Sequence, residues 1–268
     1  MTVKTAKTPI SYHGGKQMLV PKILEVEPKG YHTYCEPFFG GGAFFFAKEP
    51  SKVEFINDIN HQVTNFYVTA KKQFKNLKLE IDCTLHSEEQ FLEAREIYKN
   101  SNGKEAQEKV MRAWALFVLS HQTYLHSLDN TFVYNRQRNF ATQFNNKKVS
   151  FTDIYCKRLE HTTIFTRDAL RVIKNADSED TFHFIDPPYY NSDCGHYEGY
   201  TLEDYRNLLE LLPTLKGKFL LTSYPSEILT EFTEQFGWHQ KHFVMHRSSS
   251  GKAGITKTEV FTTNYEMP

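Results

Sequence analysis

The sequence predicts an α/β fold in which one sheet is split by a mostly helical insertion. Three observations carry that expectation. Short apolar runs alternate with helical segments over residues 1–70, the alternation returns over 161–268, and helical periodicity fills the stretch between them, 71–160. A chain of 268 residues is long enough for one large α/β domain or for one domain carrying a smaller one. No internal repeat and no low-complexity tract interrupts the pattern.

Each element follows from local chemistry. In "YHTYCEPFFGGGAFFFA" a short strand runs into a glycine loop, and an apolar helix starts after it. "KVEFINDIN" is a second short strand that ends at Asp58. "SEEQFLEAREIYKNS" has helical period, and Ser87 followed by Gln90 is a capping-box signature. "EAQEKVMRAWALFVLSHQTYL" is a longer helix, and "LDNTFVYNRQRNFATQFNNKK" is polar, aromatic and basic. "TIFTRDALRVI" and "TFHFIDPPYY" each begin as a strand and run on into the next segment. "LEDYRNLLELLPTL" is an amphipathic helix, "KFLLTSY" a strand, "SEILTEFTEQF" a helix, and "HFVMHRSSSGKAGITKTEVFTTNYE" a terminal hairpin.

Composition bounds the partners. The chain is 40% hydrophobic and 15% aromatic, so most of its 22 Phe and 15 Tyr are expected in a core, with some left for stacking. Zero formal net charge and a pI near 7.2 give no global signal for a polyanion, so any nucleic-acid site must be a local patch. Cys35, Cys83, Cys156 and Cys194 are far apart and show no metal-ligand spacing. They read as free thiols of a cytoplasmic protein, with no metal expected. The N-terminal residues lack an apolar targeting core and no apolar stretch nears the length of a membrane span, which argues against secretion and against a membrane partner.

Four motifs carry chemistry. Gly40, Gly41 and Gly42 follow a strand and open a helix, a place where a backbone without side chains can approach a nucleotide-like ligand. No Lys-Ser/Thr follows, and Phe45 stands where a dinucleotide fingerprint has its third glycine. Asp58, at the end of the next strand, can accept from both hydroxyls of a ribose; the alternative for such an acid is a helix cap. With no phosphate signature, an adenosine ligand lacking pyrophosphate fits best, and S-adenosylmethionine is such a ligand. In "SYHGGKQMLVPKIL", Gly14, Gly15 and Lys16 precede an apolar run, where backbone amides and an ammonium suit a carboxylate. A solvated lysine on a turn is the alternative there.

The fourth is "FIDPPYYNS", residues 184–192. Pro187 and Pro188 remove two amide donors while leaving carbonyls to accept, and Asp186 is a further acceptor. That edge suits a donor amino group, and Tyr189 offers a flat face to the ring bearing it. The lone pair of an exocyclic amine is delocalised. Acceptors on both its protons favour a pyramidal nitrogen and release that lone pair for in-line attack on a methyl sulfonium. The work is positioning and electrostatics, with no metal required.

Together "GGK" at 14–16, "PFFGGG" at 37–42, "INDIN" at 56–60 and "DPPY" at 186–189 resemble the Dam-type, D12-class (alpha-group) DNA adenine-N6 methyltransferases, as does the C-terminal "RSSSGK…TEVFTTNYE". The likeness covers both flanks and fades between about residues 75 and 155. It implies a Rossmann-like S-adenosylmethionine-dependent methyltransferase sheet with an inserted, mostly helical target-recognition subdomain. The catalytic domain would be 1–70 with 161–268 and the DNA-binding insertion 71–160. Asp186, Pro187, Pro188 and Tyr189 match the family's catalytic motif. Tyr12 (Trp in many members), Gly14, Lys16, Phe39, Gly40, Gly42, Asp58 and Asp186 match its cofactor-binding positions, and Asp168 of "TRDAL" looks like the acid placed near the cofactor adenine. The implied activity is methylation of the N6 amino group of an adenine flipped out of duplex DNA, at a specific site. An RNA or protein-amide methyltransferase on the same fold is the alternative. A non-catalytic DNA-binding regulator is disfavoured by the intact Asp186–Tyr189 motif.

From Gly40 to Asp186 is 146 residues, more than a continuous sheet needs, and the excess matches the insertion. Residues 130–152 contain Arg136, Arg138, Lys147 and Lys148 and no acid, with Asn and Gln suited to adenine edges and Arg to guanine. Base reading is expected in 121–148. A second acid-free run, 238–258, holds Lys241, Arg247, Lys252, Lys257 and three histidines. The implied partner is double-stranded DNA. The implied setting is the cytoplasm of a bacterial or phage-infected cell, as a monomer or weak dimer, with room for a cognate restriction endonuclease acting on the same site.

Overall fold

The computed structural model describes residues 6–12, 14–124, 128, 130–191, 199–246 and 256–268. In chain order its elements begin α1 (Val20–Val26), β1 (Thr33–Glu36), α2 (Ala43–Ala47) and β2 (Val53–Asn57). A helical stretch follows: α3 (His61–Lys72), α4 (Phe74–Cys83), α5 (Glu88–Asn100), α6 (Ala106–Gln122), α7 (Phe140–Ser150) and α8 (Ile154–Arg158). Then come β3 (Thr162–Phe165), α9 (Ala169–Ala176), β4 (Thr181–Ile185), α10 (Leu202–Leu211), β5 (Lys218–Ser223), α11 (Glu227–Phe236), β6 (His239–His246) and β7 (Thr256–Thr263). Among the described residues no helix is long and apolar enough to cross a membrane.

The chain divides into two compact units. One comprises Met1–Val20, Gly40–Pro50 and Asn60–Thr166, the other Pro21–Phe39, Ser51–Ile59 and Arg167–Pro268.

The first unit is built on α6, which packs against α3, α4 and α5. Every residue of α6 from Ala113 to Gln122 is buried, the pattern of a helix enclosed on all sides. Polar atoms inside such a helix need partners. Trp114 Nε1 donates to Thr84 Oγ1 at 2.7 Å and Gln122 Nε2 to the Leu85 carbonyl at 2.9 Å. A reciprocal capping box, Glu105 with Glu108, starts α6. At α5 the expected box is only half formed. Ser87 caps the Gln90 amide, but the Gln90 side chain accepts from Leu85 N at 2.7 Å instead of Ser87 N. The polar segment at 128–148 runs into α7, which is held by the Asn139 cap and the buried Phe144.

Among the described residues the second unit contributes strands in the order β2-β1-β4-β5-β7-β6. β2, β1, β4 and β5 are parallel neighbours, and β7 pairs antiparallel with both β5 and β6. The terminal hairpin strands expected from sequence are therefore present as β6 and β7, and residues 247–255 between them lie outside the described residues. All five residues of β4 are buried, as a strand covered on both faces requires. α10, α11 and β5 enclose a core of Leu208, Leu209, Phe219, Leu221, Trp238 and Val260. Strand order reverses between β1 and β4: the chain goes from β1 outward to β2, and from β4 outward to β5. In open α/β sheets the crevice at such a switch point, beyond the carboxyl ends of the strands, is where ligands bind. Asp186 follows β4 there.

Candidate active site

The first unit joins two of the glycine segments. Gly40 and Gly42 have φ of 48° and 65°, values that a β-carbon disfavours. A Cβ on Gly40 would come 3.0 Å from Cδ1 of Tyr12, so the Tyr12 ring lies against the glycine loop. The Tyr67 hydroxyl donates to the Gly40 carbonyl at 3.0 Å, and Asn60 Nδ2 donates to the Tyr12 hydroxyl at 3.2 Å. Asn60 and Tyr67 had no role in the sequence reading. Asn60 carried a signal, since an Asn before an apolar-periodic run marks a helix start, and its side chain does cap α3. α2 itself spans only five residues.

Lys16 is buried, 6% exposed, and its ammonium donates to the Gly14 carbonyl at 2.8 Å. It is not a solvated turn lysine. The turn does not open a helix directly: α1 starts at Val20, and the Lys16 carbonyl accepts from Leu19 N and Val20 N.

In the second unit, Asn57 fastens the ends of several segments. It is 1% exposed. Its Nδ2 donates to the carbonyls of Pro37 at 2.9 Å and Arg167 at 3.0 Å, while its Oδ1 accepts from Arg167 N at 2.9 Å. Its own carbonyl accepts from Phe39 N at 2.9 Å. Phe39, Asp58 and Asp168 are thereby attached to a common anchor. The cap of α3 is Asn60, so half-buried Asp58 does not serve as that cap. Asp168 is exposed and is a cap: its Oδ1 accepts from Arg171 N at 2.9 Å at the start of α9.

The Asp186 edge is a side-chain network. Thr222 Oγ1 donates to Asp186 Oδ1 at 2.6 Å. The Tyr189 hydroxyl lies 3.4 Å from that same oxygen and donates to Glu259 Oε2 at 2.7 Å. The Tyr224 ring meets Tyr189 edge to face, centroids 4.4 Å apart. Lys257 Nζ donates to the Tyr224 hydroxyl at 3.1 Å and lies 4.6 Å from its ring centroid. Desolvation, then the charges of Asp186 and Glu259, push the Tyr189 hydroxyl well above its ordinary pKa, so it stays a donor at neutral pH. Pro187 is buried and Pro188 half-buried, and neither has an amide hydrogen to offer. The result is an acceptor edge beside an aromatic face, suited to a planar ring bearing an amino group. Sequence reasoning gave Thr222, Tyr224 and Glu259 no role and placed Lys257 only in a basic run. Strand alternation was the available signal, because Thr222 and Tyr224, like Lys257 and Glu259, are two residues apart.

The basic stretch in the first unit looks different. Arg136 and Arg138 are exposed, as is Tyr134 at 80%. Asn139 is spent on the cap of α7, and Phe140 stacks near His86, centroids 6.3 Å apart. Lys148 Nζ donates to the carbonyls of Asp82 at 3.0 Å and Thr84 at 2.7 Å. Burial, then the Lys7 ammonium, holds Lys147 below the usual lysine pKa. Residues 125–127 and 129 of this stretch, and Arg247 and Lys252 of the second basic run, lie outside the described residues. Lys241 of that run donates to the Pro268 carbonyl.

Residues 12–246 match the family model for D12 class N6 adenine-specific DNA methyltransferases. The chain is 28% identical to the type II methyltransferase M1.LlaDCHI of Lactococcus lactis subsp. cremoris, over 94% of this chain and 93% of that protein. It is 25% identical to the DNA N-6-adenine-methyltransferase of Escherichia phage P1, over 89% of this chain and 32% of that one. It is 23% identical to the type II methyltransferase M.FokI of Planomicrobium okeanokoites, over 97% of this chain and 43% of that one. It thus spans nearly all of the first relative, about a third of the second and under half of the third.

Proposed function

The chain belongs to the D12 class N6 adenine-specific DNA methyltransferases, and from that premise we infer how its residues divide the work. It is a site-specific DNA adenine methyltransferase that depends on S-adenosylmethionine. The family's acceptor sets aside the RNA and protein-amide alternatives. The observation that carries the assignment of chemistry to residues is Asp186. It stands at the carboxyl end of the central parallel strand β4, with one carboxylate oxygen held by Thr222 and the Tyr189 hydroxyl nearby.

S-adenosylmethionine supplies the methyl group. The donor set of the residues present fits such a group. A glycine loop in left-handed conformations with no Lys-Ser/Thr after it suits a nucleoside without pyrophosphate. A carboxylate at the end of β2 suits ribose hydroxyls, and a buried ammonium suits an amino-acid carboxylate. From the family match we assign Asp58 to the ribose, Lys16 with Gly14 to the carboxylate end, and Tyr12, Phe39, Gly40 and Gly42 to further cofactor contacts. Asp168 is assigned to the adenine end of the cofactor, where its exposed carboxylate keeps capacity beyond the cap it makes.

At the acceptor end, Asp186 and the carbonyls of the proline pair accept from the two hydrogens of the target amino group, and the Tyr189 ring stacks on the base. A stacked and paired adenine cannot reach such an edge, so the base is flipped out of the duplex. Arg136, Arg138 and Lys147 are the DNA-contacting residues of the basic stretch. The test is transfer of tritiated methyl groups from S-adenosylmethionine to duplex DNA and, in parallel, to RNA. Label in N6-methyladenine of DNA is the expected result, and label confined to RNA would overturn it.

A further inference from the structure

Asp186 and Tyr189 do not orient themselves. Thr222 and Glu259 lie on strands remote in sequence, and sheet register delivers both to the same face. In the parallel pair Ile185 stands beside Leu221, so one step further Asp186 comes beside Thr222. In the antiparallel pair Thr222 stands opposite Phe261. Residues opposite one another share a face, and so do residues two apart on one strand. Glu259 and Lys257, two and four residues before Phe261, therefore point to the same face as Thr222, and Tyr224, two beyond Thr222, joins them.

Thr222 is 0% exposed. A hydroxyl buried there costs free energy unless it is bonded, and valine would fill the same volume without it. Its short bond to Asp186 Oδ1 fixes the carboxylate rotamer. Glu259 holds the tip of Tyr189. A bond at the phenol oxygen lies on the ring's rotation axis and cannot set the ring plane. The edge of Tyr224, itself held by Lys257, supplies that second constraint. Each of the two groups that must meet a flipped base is thus aimed by a neighbour that need not touch the base.

We propose that Thr222 and Glu259 are positioning residues of the methyl-transfer site, Thr222 for the Asp186 carboxylate and Glu259 for the Tyr189 ring. This rests on the reading of Asp186 and Tyr189 as catalytic. Small misplacements of a reacting group are costly, about a hundredfold for about 1 Å, and sites perform when such neighbours lock their rotamers.

The experiment measures kcat and both KM values on duplex DNA for the full chain, with thermal unfolding as the control for folding. Thr222→Val should lower kcat about tenfold or more while KM for DNA and for S-adenosylmethionine stays within about twofold. Thr222→Ser, which restores the hydroxyl, should recover most of the loss. Tyr189→Phe and Glu259→Leu should each lower kcat. Because Glu259 acts through the Tyr189 hydroxyl, adding Glu259→Leu to Tyr189→Phe should cost little more. Thr222→Val at wild-type kcat, or failure of Thr222→Ser to recover it, would overturn the role of Thr222. A full, independent loss from Glu259→Leu in the Tyr189→Phe background would overturn that of Glu259. Asp186→Ala separates the two levels. An active Asp186→Ala enzyme sinks the catalytic assignment itself, whereas an inactive one beside a fully active Thr222→Val enzyme sinks the positioning role alone.

Discussion

Around Asp186, side chains bond to side chains: Thr222 to Asp186, Tyr189 to Glu259, Lys257 to Tyr224. Along 121–148 the pattern is reversed. Among its described residues Arg136 and Arg138 are exposed, and the engaged polar groups bind mainly the backbone, such as Asn139 at the amide of Thr142 and Lys148 at two carbonyls. The difference teaches what each region is built for. Stabilising a transition state demands groups fixed before the substrate arrives, because dipoles aimed in advance cost no reorganisation. Base edges and phosphates are instead met by long side chains held ready on an ordered backbone. A mutation at the Asp186 edge should therefore damage rate, and one in the basic stretch should damage choice of sequence or salt dependence.

The largest effect tests the first half of that contrast. Asp186→Ala should lower methyl transfer by about a hundredfold or more, the scale on which one preorganised transition-state contact acts. The variant should still fold, because Thr222 keeps its place in β5, but with a lowered unfolding midpoint, since the buried Thr222 hydroxyl loses its acceptor. Filter-bound tritium counts above a tenth of the wild-type rate would break the contrast.

Cofactor affinity comes next. Asp58→Ala should weaken S-adenosylmethionine by about 1.5–3 kcal/mol, the range for hydrogen bonds to a charged group, as read by titration calorimetry. Lys16→Met should weaken it as well, and unchanged affinity in both variants would mean that the glycine loop serves another ligand. Asp168→Asn is the sharper comparison. Its amide oxygen can still cap α9, so a change in affinity with unchanged stability would assign Asp168 to the cofactor, whereas unchanged affinity would leave it a helix cap.

How much of this could be read in the sequence depends on the range of the interactions. The Asp186–Tyr189 motif, the glycine loop and the alternation of strands and helices are written in contiguous residues, where backbone limits act locally. The partners are not. Thr222 and Glu259 are 36 and 70 residues from the groups they hold, and only the order β4-β5-β7 and its register bring them near. Lys16 illustrates the same limit. A lysine after two glycines reads as exposed, and tertiary packing buries it. α7 is legible only in part, because "NFATQFNNKKVS" has a cap at Asn139 but little apolar period beyond Phe144.

In the basic stretch, a base-reading arginine should cost about 1–3 kcal/mol on the cognate site when removed and relax the choice of one base. Arg136→Ala and Arg138→Ala, each assayed on a randomised duplex pool with sequencing of the methylated positions, are expected to show this. If neither alters the profile, readout lies elsewhere, with the second basic run at 238–258 the next stretch to test.

The smallest effects separate two adjacent lysines. Sequence treats Lys147 and Lys148 alike, as cations at the end of a basic run. Lys148, however, has its ammonium on the Asp82 and Thr84 carbonyls, at the carboxyl end of α4. A cation there complements the negative end of the helix and satisfies acceptors that the helix itself leaves open. Removing it should cost about 0.5–1.5 kcal/mol of stability, below the usual range for a charged hydrogen bond because the half-buried ammonium is partly screened by water, and should leave the salt dependence of DNA binding as it was. Lys147 makes the opposite case. Burial and Lys7 disfavour its charge in the unbound protein, and the opposite charge of a phosphate would offset both. Lys147→Ala should therefore leave the unfolding midpoint unchanged or slightly raised, weaken all sequences alike, and reduce the slope of log affinity against log salt by about 1. Thermal unfolding and salt titrations of Lys147→Ala and Lys148→Met decide it. If Lys148→Met instead flattens the salt slope at unchanged stability, the carbonyl contacts give way to phosphate on binding, and the basic stretch is as adaptable at its helical end as at Arg136.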